Sequence, residues 1–359
     1  MVRCSLSIVV FLLLINAAFA QDSTQVERKL EILPLPVLFY TPETRLGFGG
    51  LGTGLFNLGS SQDTRISNVQ VLAAYTINQQ VIAQARNNIF TKGEGYNFFG
   101  QLSFFDFPIF YYCIGNDSQS ENEEDLDYKV FVFEQRALKK VVDYNFVGIQ
   151  YRLIHLYDLI YEPRFLLEDQ ARLEAEAGTY SGLGLAYLHD SRDNVLNSFK
   201  GSYLEFTATF HRKSLASDFN FTRYRLDARK YWLLETHTVL ATQFLGEFND
   251  GDVPFRELAL MGGDQIMRGY YQGRFRDKNQ VALQAEYRRQ VIPWLGFVLF
   301  GSVGDVAASV DQFDLGDFKA AGGAGVRLMI NKKDRVNIRF DYGLGRDTNG
   351  FYFAFAESF

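Results

Sequence analysis

Phe351-Tyr352-Phe353-Ala354-Phe355-Ala356-Glu357-Ser358-Phe359 decides the fold. Aromatic and small side chains alternate, the period of a strand with one greasy face. The spacing predicts a closing strand over 350–359 with nothing after it. Such a strand must pair its backbone groups, and a closed barrel does so without leaving an edge.

The same alternation recurs upstream. Leu204, Phe206 and Phe210 oppose Tyr203, Glu205 and His211; Tyr224, Leu226, Ala228 and Trp232 oppose Arg223, Arg225, Asp227 and Arg229. Val281, Leu283 and Tyr287 oppose Gln280, Gln284, Glu286 and Arg288, and Ile338, Phe340, Tyr342 and Leu344 oppose Asn337, Arg339, Asp341 and Gly343. An apolar face suits lipid and a charged face suits a wet lumen. Strands are predicted over 34–41, 45–58, 64–75, 79–90, 95–106, 128–139, 142–155, 175–188, 201–212, 220–233, 236–249, 279–290, 294–306, 319–331, 334–344 and 350–359. These make an all-β, sixteen-stranded antiparallel transmembrane barrel; an even count returns both ends to one side. Most reach the ~9–11 residues needed to cross a bilayer at a tilt.

Loop lengths give a separate argument. With the first strand entered from the periplasm, the long connections 107–127, 156–174 and 250–278 all fall at the outer end. The other end is joined mostly by short turns such as 91–94, 140–141, 234–235, 291–293 and 332–333, with 189–200 as the exception. A soluble sandwich has no reason to segregate its loops in this way.

Composition agrees. Phe 34, Tyr 20 and Gly 31 are high and Pro 7 is low, yet past the N-terminus no run of ~18 apolar residues signals a membrane helix. Residues 1–20 read as a secretory signal peptide: Arg3, an apolar run from Ser7 to Ile15, and Ala18-Phe19-Ala20 before Gln21. Residues 21–33 read as a short periplasmic segment and 34–359 as the barrel domain. A net charge of -6 excludes a basic nucleic-acid surface. Cys113 is left alone by signal cleavage, so no disulfide framework is expected. His155, His189, His211 and His237 show no metal-ligand spacing, and no phosphate loop or dinucleotide fingerprint stands between a strand and a helix. No cofactor and no enzyme activity are expected, a hydrolase assembled from strand ends being the minor alternative. The acidic stretch Glu121-Asn122-Glu123-Glu124-Asp125 reads as a solvated loop rather than a calcium site.

Gly262-Gly263-Asp264-Gln265-Ile266-Met267-Arg268-Gly269-Tyr270 sits in the longest outer connection, between the eleventh and twelfth strands. A double glycine followed by Arg-Gly-aromatic at this place resembles the signature of the BamA/TamA family of bacterial surface-antigen barrels. Asp190-Ser191-Arg192-Asp193-Asn194 before Gly201 resembles the family's turn motif, Glu286-Tyr287-Arg288 its Glu-Tyr-Arg strand, and terminal Phe359 its assembly signal. The resemblance covers the whole chain after the leader. It implies a loop folded into the lumen, with Arg268 paired to Glu286. Phe300-Gly301-Ser302-Val303-Gly304 puts Ser302 where the family often has an aspartate, so Asp305 or Asp341 is the expected second carboxylate. An arginine tucked into such a site needs one, since an unpaired buried charge is costly.

The resemblance implies an outer-membrane protein of a Gram-negative bacterium that inserts or translocates proteins. Its partners would be outer-membrane lipids, the barrel-assembly machinery for its own insertion, and a polypeptide client. The family's periplasmic client-capture domains find no counterpart before residue 34, which counts against a full assembly-machine role unless a separate periplasmic partner supplies them. A passive pore lined by Arg223, Arg225, Arg229, Arg335 and Arg339, and a surface barrel without transport, are the alternatives.

Overall fold

The computed structural model describes residues 30–41, 45–59, 64–161 and 177–359. The leader and most of segment 21–33 lie outside the described residues, as does most of the connection expected at 156–174. In chain order the strands are β1 Glu31–Thr41, β2 Arg45–Phe56, β3 Ser67–Thr76, β4 Val81–Phe90, β5 Tyr96–Asp106, β6 Ile109–Tyr111, β7 Glu124–Val142 and β8 Asn145–Tyr161. There follow β9 Gly178–Asp190, β10 Gly201–His211, β11 Phe221–Glu235, β12 Thr238–Gly251, β13 Ala259–Met261 and β14 Phe275–Asp277. The chain continues with β15 Asn279–Ile292, β16 Leu295–Ala307, β17 Lys319–Asn331, β18 Val336–Gly345 and β19 Thr348–Phe355. A 17-stranded antiparallel sheet holds all but β13 and β14, which pair with each other. Among the described residues no helix is long and apolar enough to cross a membrane.

Each long strand pairs with the next one in the sequence. The meander continues past β10, with β12 pairing β15 across the longest connection. The turns at one end are tight. Tyr144, His237 and Arg335 take positive φ there (67°, 69° and 57°). The register slips by one residue just before each of these turns, the signature of a type I turn closed by a bulge.

Burial is inverted relative to a soluble sheet. Leu185, Leu283, Leu299, Tyr342 and Phe351 are exposed, whereas Arg136, Arg152, Glu205, Asp227, Glu286 and Asp341 are buried. The alternation puts every one of the latter on the face opposite the former. The greasy face therefore looks outward, and the charged face is covered by the protein itself.

The sheet is strongly curved. Laid flat at ~4.8 Å per strand, β9 and β18 would lie more than ~30 Å apart. Yet Asp193, three residues beyond β9, takes an ion pair at 2.7 Å from Arg335 in the turn before β18. Asn194 Nδ2 donates to the Asp334 carbonyl at 3.1 Å. On the other side, Arg65, just before β3, reaches Asp190 at the end of β9 at 3.0 Å.

Three of the expected strands differ in their bounds. The strand expected over 128–139 extends to Glu124–Val142, and the one expected over 142–155 starts later and ends later, at Asn145–Tyr161, because the ladder between them continues outward past the apolar belt. The closing strand expected over 350–359 ends at Phe355. Ala356 has φ 65°, a left-handed step that turns the chain off the ladder. Its N–H goes to the Asn337 carbonyl at 2.9 Å. Phe359 is thus not a strand residue. It is buried with Tyr231 and Ala241 on the polar face, and its carbonyl accepts from Arg288 at 3.0 Å.

Candidate functional site

Segment 252–278 lies against the charged face of the sheet. Val253, Phe255 and Leu258 join Leu126, Val130, Ile154 and Tyr180 in one apolar cluster. Met261, Ile266, Met267, Tyr270 and Phe275 pack on Leu245, Ala282 and Val306. The 27 residues between β12 and β15 therefore carry their own core onto the sheet, as a long ordered loop must.

At its tip Arg268 is fully buried. Its guanidinium pairs with Glu286 on β15 and, at 2.5 Å, with Asp341 on β18, and lies 3.7 Å above the Phe300 ring on β16. Asp341 is the second carboxylate; Asp305 instead receives Lys319 at 3.1 Å and Asn116 at 3.3 Å. The cluster extends further. Glu286 also holds Arg288 at 2.6 Å, and Asp341 holds Arg327 at 2.5 Å and Arg339 at 3.2 Å. Arg327 reaches Glu357 at 2.7 Å and Arg339 reaches Asp264 at 2.7 Å. Four buried guanidinium groups face three buried carboxylates, Glu286, Asp341 and Glu357, with the exposed Asp264 as the fourth partner, and this mutual pairing offsets the desolvation of the charges.

The glycines around the tip have separate jobs. Gly262, Gly263 and Gly269 have φ of 108°, 110° and 119°, values strained for any other residue. At Gly343 on β18 a Cβ would collide with the backbone of Arg268 and Gly269; the loop crosses there because the strand has no side chain. Tyr270 sits beside it, its hydroxyl donating to the Ala320 carbonyl at 3.1 Å and accepting from the Arg346 N–H at 3.0 Å. The N–H of Gly269 donates to the Tyr352 hydroxyl at 2.9 Å.

A second anchor escaped the sequence reading. Glu257 is buried between Arg152 on β8, at 2.8 Å, and Arg223 on β11, at 3.9 Å. Burial alone would raise its carboxyl, but Arg152 and Arg223 override this and hold it down at about 2. The signal was there to read: a lone carboxylate beside Arg256 inside the otherwise apolar stretch Val253-Pro254-Phe255-Arg256-Glu257-Leu258. Around it Glu134, Arg136, Glu205, Arg225 and Glu247 extend a second ion network over β7, β10, β11 and β12. A third contact joins the loop to segment 107–127. Arg274 donates to Ser118 Oγ at 2.8 Å, and the Gly115 N–H donates to the Arg276 carbonyl at 2.8 Å.

The turn residues are placed together at the other end. Arg192 forks onto Asp190 at 2.9 Å, and its guanidinium covers the Tyr203 ring at 4.5 Å. Asp193 accepts the N–H groups of Phe199 and Lys200 at 2.9 and 3.2 Å besides pairing with Arg335. Partial burial would raise the Asp193 carboxyl, but these donors hold it below its ordinary range.

Inverted burial, a meander of long antiparallel strands and a loop bolted onto the charged face define a membrane-embedded all-β protein of outer-membrane type. The chain belongs to the Omp85 superfamily, whose domain matches residues 84–359. That places it in a family of outer-membrane proteins of Gram-negative bacteria. A search of curated proteins finds no match. Among solved structures, BamA from Haemophilus ducreyi lacking POTRA domains 1-3 is similar at TM-score 0.57 and 12% identity, covering 91% of this chain and 69% of that one. CdiB from Escherichia coli gives TM-score 0.60 at 12% identity over 94% of this chain. CdiB from Acinetobacter baumannii gives 0.55 at 12% over 89%. The chain spans 63% and 58% of these two CdiB chains. At such identities the likeness is one of fold.

Proposed function

We propose that the curved sheet closes into a sixteen-stranded outer-membrane barrel with segment 252–278 folded into its lumen. In this reading the protein inserts polypeptides into the outer membrane or moves them across it, working at a seam between β1 and β19. The observation that carries the reading is the anchored loop. Arg268 braces β15 against β18, and Glu257 braces β8 against β11, so the lumen is filled and bolted rather than open. Membership of the Omp85 superfamily supports the same role.

The seam has its own physical argument. β1 keeps unbroken register with β2 from Glu31 to Thr41 although it contains Pro34 and Pro36. Residues two apart direct their backbone groups to the same side. The two missing N–H donors are therefore best placed on the edge away from β2, where they weaken pairing to β19. A polypeptide client would enter there as an added strand, delivered by a periplasmic partner.

In a Cys113→Ser background, cysteines along Ile32–Val37 are paired with cysteines along Thr348–Phe353 and oxidised in proteoliposomes. Client insertion is expected to stop on cross-linking and to return on reduction. Full activity with the seam locked would overturn the proposal. The passive-pore alternative fares worse because its arginines are occupied: Arg223 and Arg225 by Glu247 and Glu205, and Arg229 by Asp227. Large steady conductance unaffected by deleting 255–275 would restore it.

A further inference from the structure

Three hairpins at the tight-turn end repeat one pattern on the lipid-facing side. Lys139 is followed two residues on by Val141, Lys230 by Trp232, and Arg289 by Val291. By strand parity Lys139, Lys230, Trp232 and Arg289 point outward, Val141 and Val291 stand at the bulges where the register slips, and all six side chains are exposed. The turn tips beyond them stay greasy: Val142, Leu233, Leu234 and Ile292 are exposed too. A cation on the lipid face of a strand is costly at the bilayer midplane and tolerated near the headgroups. Here it lies on the hydrocarbon side of an apolar tip. Water on the tips would leave those side chains uncovered, and hydrocarbon around the cations would leave the charges unpaired. A layer that supplies phosphate and acyl surface together satisfies both.

The surrounding charge has the same sign. Lys92, Lys200, Lys332 and Lys333 are exposed at this end. Of the exposed carboxylates among them, Asp143 is held by Lys140 at 2.9 Å and Asp193 by Arg335 at 2.7 Å, while Glu235 in the β11–β12 turn is exposed and acts on Arg289; the exposed cations still outnumber these carboxylates. At the opposite end the balance reverses, with Asp117, Glu121, Asp125, Asp314 and Asp317 all exposed. Tyr144, Trp232 and Trp294 stand exposed beside the cations, the aromatic type that favours a membrane interface.

We infer that this rim, built on the β7–β8, β11–β12 and β15–β16 hairpins, is a docking surface for anionic phospholipid headgroups of the inner leaflet. Lys139, Lys230 and Arg289 take the phosphates, and the turn tips lie among the upper acyl segments. The inference rests on the membrane-spanning reading above and adds a lipid preference to one side and one leaflet. It concerns β7 to β16, away from the seam.

The chain provides its own probe. It has Trp 2, and both, Trp232 and Trp294, stand in this rim. The full protein is reconstituted into vesicles in which either phosphatidylglycerol or phosphatidylcholine carries bromine on upper acyl carbons, at equal mole fraction. Brominated phosphatidylglycerol should quench the tryptophans at least about twofold more than brominated phosphatidylcholine at low salt. The excess should disappear near 1 M salt, where the screening length falls to ~3 Å. It should also disappear in K139Q/K230Q/R289Q, while K213Q at the other end keeps it. The salt series uses the unaltered protein, so it decides the matter even if the triple variant fails to assemble. Equal quenching by both lipids at low salt would overturn the headgroup proposal and leave the barrel reading standing. No quenching by either, as with a protein partner or water on the tips, would overturn both.

Discussion

Replacing Arg268 by Ala should release the loop tip without unfolding the sheet. Arg268 is fully buried and pairs with Glu286 and Asp341. Orphaning a buried charge costs about 3–5 kcal/mol. Neither carboxylate is orphaned here, since Glu286 keeps Arg288 and Asp341 keeps Arg327 and Arg339. What is lost is one guanidinium that bridges two strands, and its stacking on Phe300. A cost of about 2–3 kcal/mol for the docked loop follows, below the orphaned-charge range. Every 1.4 kcal/mol is about tenfold in an equilibrium, so the undocked population should rise by roughly 30- to 140-fold. Where cleavage follows opening at equilibrium, proteolysis reports that population. Protease added outside intact proteoliposomes should therefore cut within 252–278 roughly 30- to 140-fold faster in R268A. R268K, which keeps the charge and loses the fork, should fall between. In a D341A background the same change should cost less, the difference giving their coupling of about 0.5–3 kcal/mol. A cleavage rate within twofold of the unaltered protein would refute the bracing role of Arg268.

Gly343→Ala should undock the same tip by a steric route, because the added methyl meets the Arg268 and Gly269 backbone; Gly50→Ala, whose methyl meets nothing within 4 Å, is the control, and equal protease resistance in both would count against the crossing. Glu257 gives a pH signature. Its folded carboxyl sits at about 2 against an ordinary 4.5, so its contribution is complete above pH ~4.5 and fades as pH falls toward 2. Acid-active protease should cut the loop progressively faster across that window, and E257Q should flatten the profile. A profile unchanged in E257Q would remove Glu257 as an anchor. Asp193→Ala should loosen the turn end, lowering the detergent melting temperature by about 1–2 °C for a cost of about 1 kcal/mol, with loop proteolysis unaffected.

The strands were legible because a half-lipid, half-polar sheet writes its geometry into every second residue. Tyr224 to Trp232 and Val281 to Tyr287 needed no context to read. Their outer ends were not, since beyond the bilayer nothing constrains the outward side chain. Glu124–Asp127 continues a ladder with no greasy face to betray it. The turn at Ala356 was invisible for a different reason: a positive φ at alanine has no sequence mark, and is imposed by tertiary contacts of 357–359 with Arg327, Arg288 and Tyr231. Arg268 was found through the resemblance of its loop, and Asp341 was one of two possible partners until geometry excluded Asp305. The three-residue strands β6, β13 and β14 carry no period long enough to detect.

The anchors divide the molecule in two. The loop's named bonds run to β8 and β11 through Glu257, to β15 and β18 through Arg268, and to Ala320 on β17 and Tyr352 on β19 around Tyr270 and Gly269. Residues 356–359 add ties from the last strand to β15 and β17. Motion of β19 away from its neighbours would have to break buried ion pairs in a low-dielectric interior, where they are strongest. β1 is held to β2 by a ladder whose partner strand is glycine-rich, with Gly47, Gly49, Gly50, Gly52 and Gly54 opposite Phe39, Val37, Pro36, Pro34 and Ile32. Cross-strand side-chain pairs stabilise sheets, and glycine supplies none. If the barrel opens, the moving lip should therefore be β1 with β2, while β19 stays braced. Backbone amide exchange should rank them in that order, with β19 protected near Phe351 and β1 exchanging first; the reverse ranking would move the hinge to the other side of the seam.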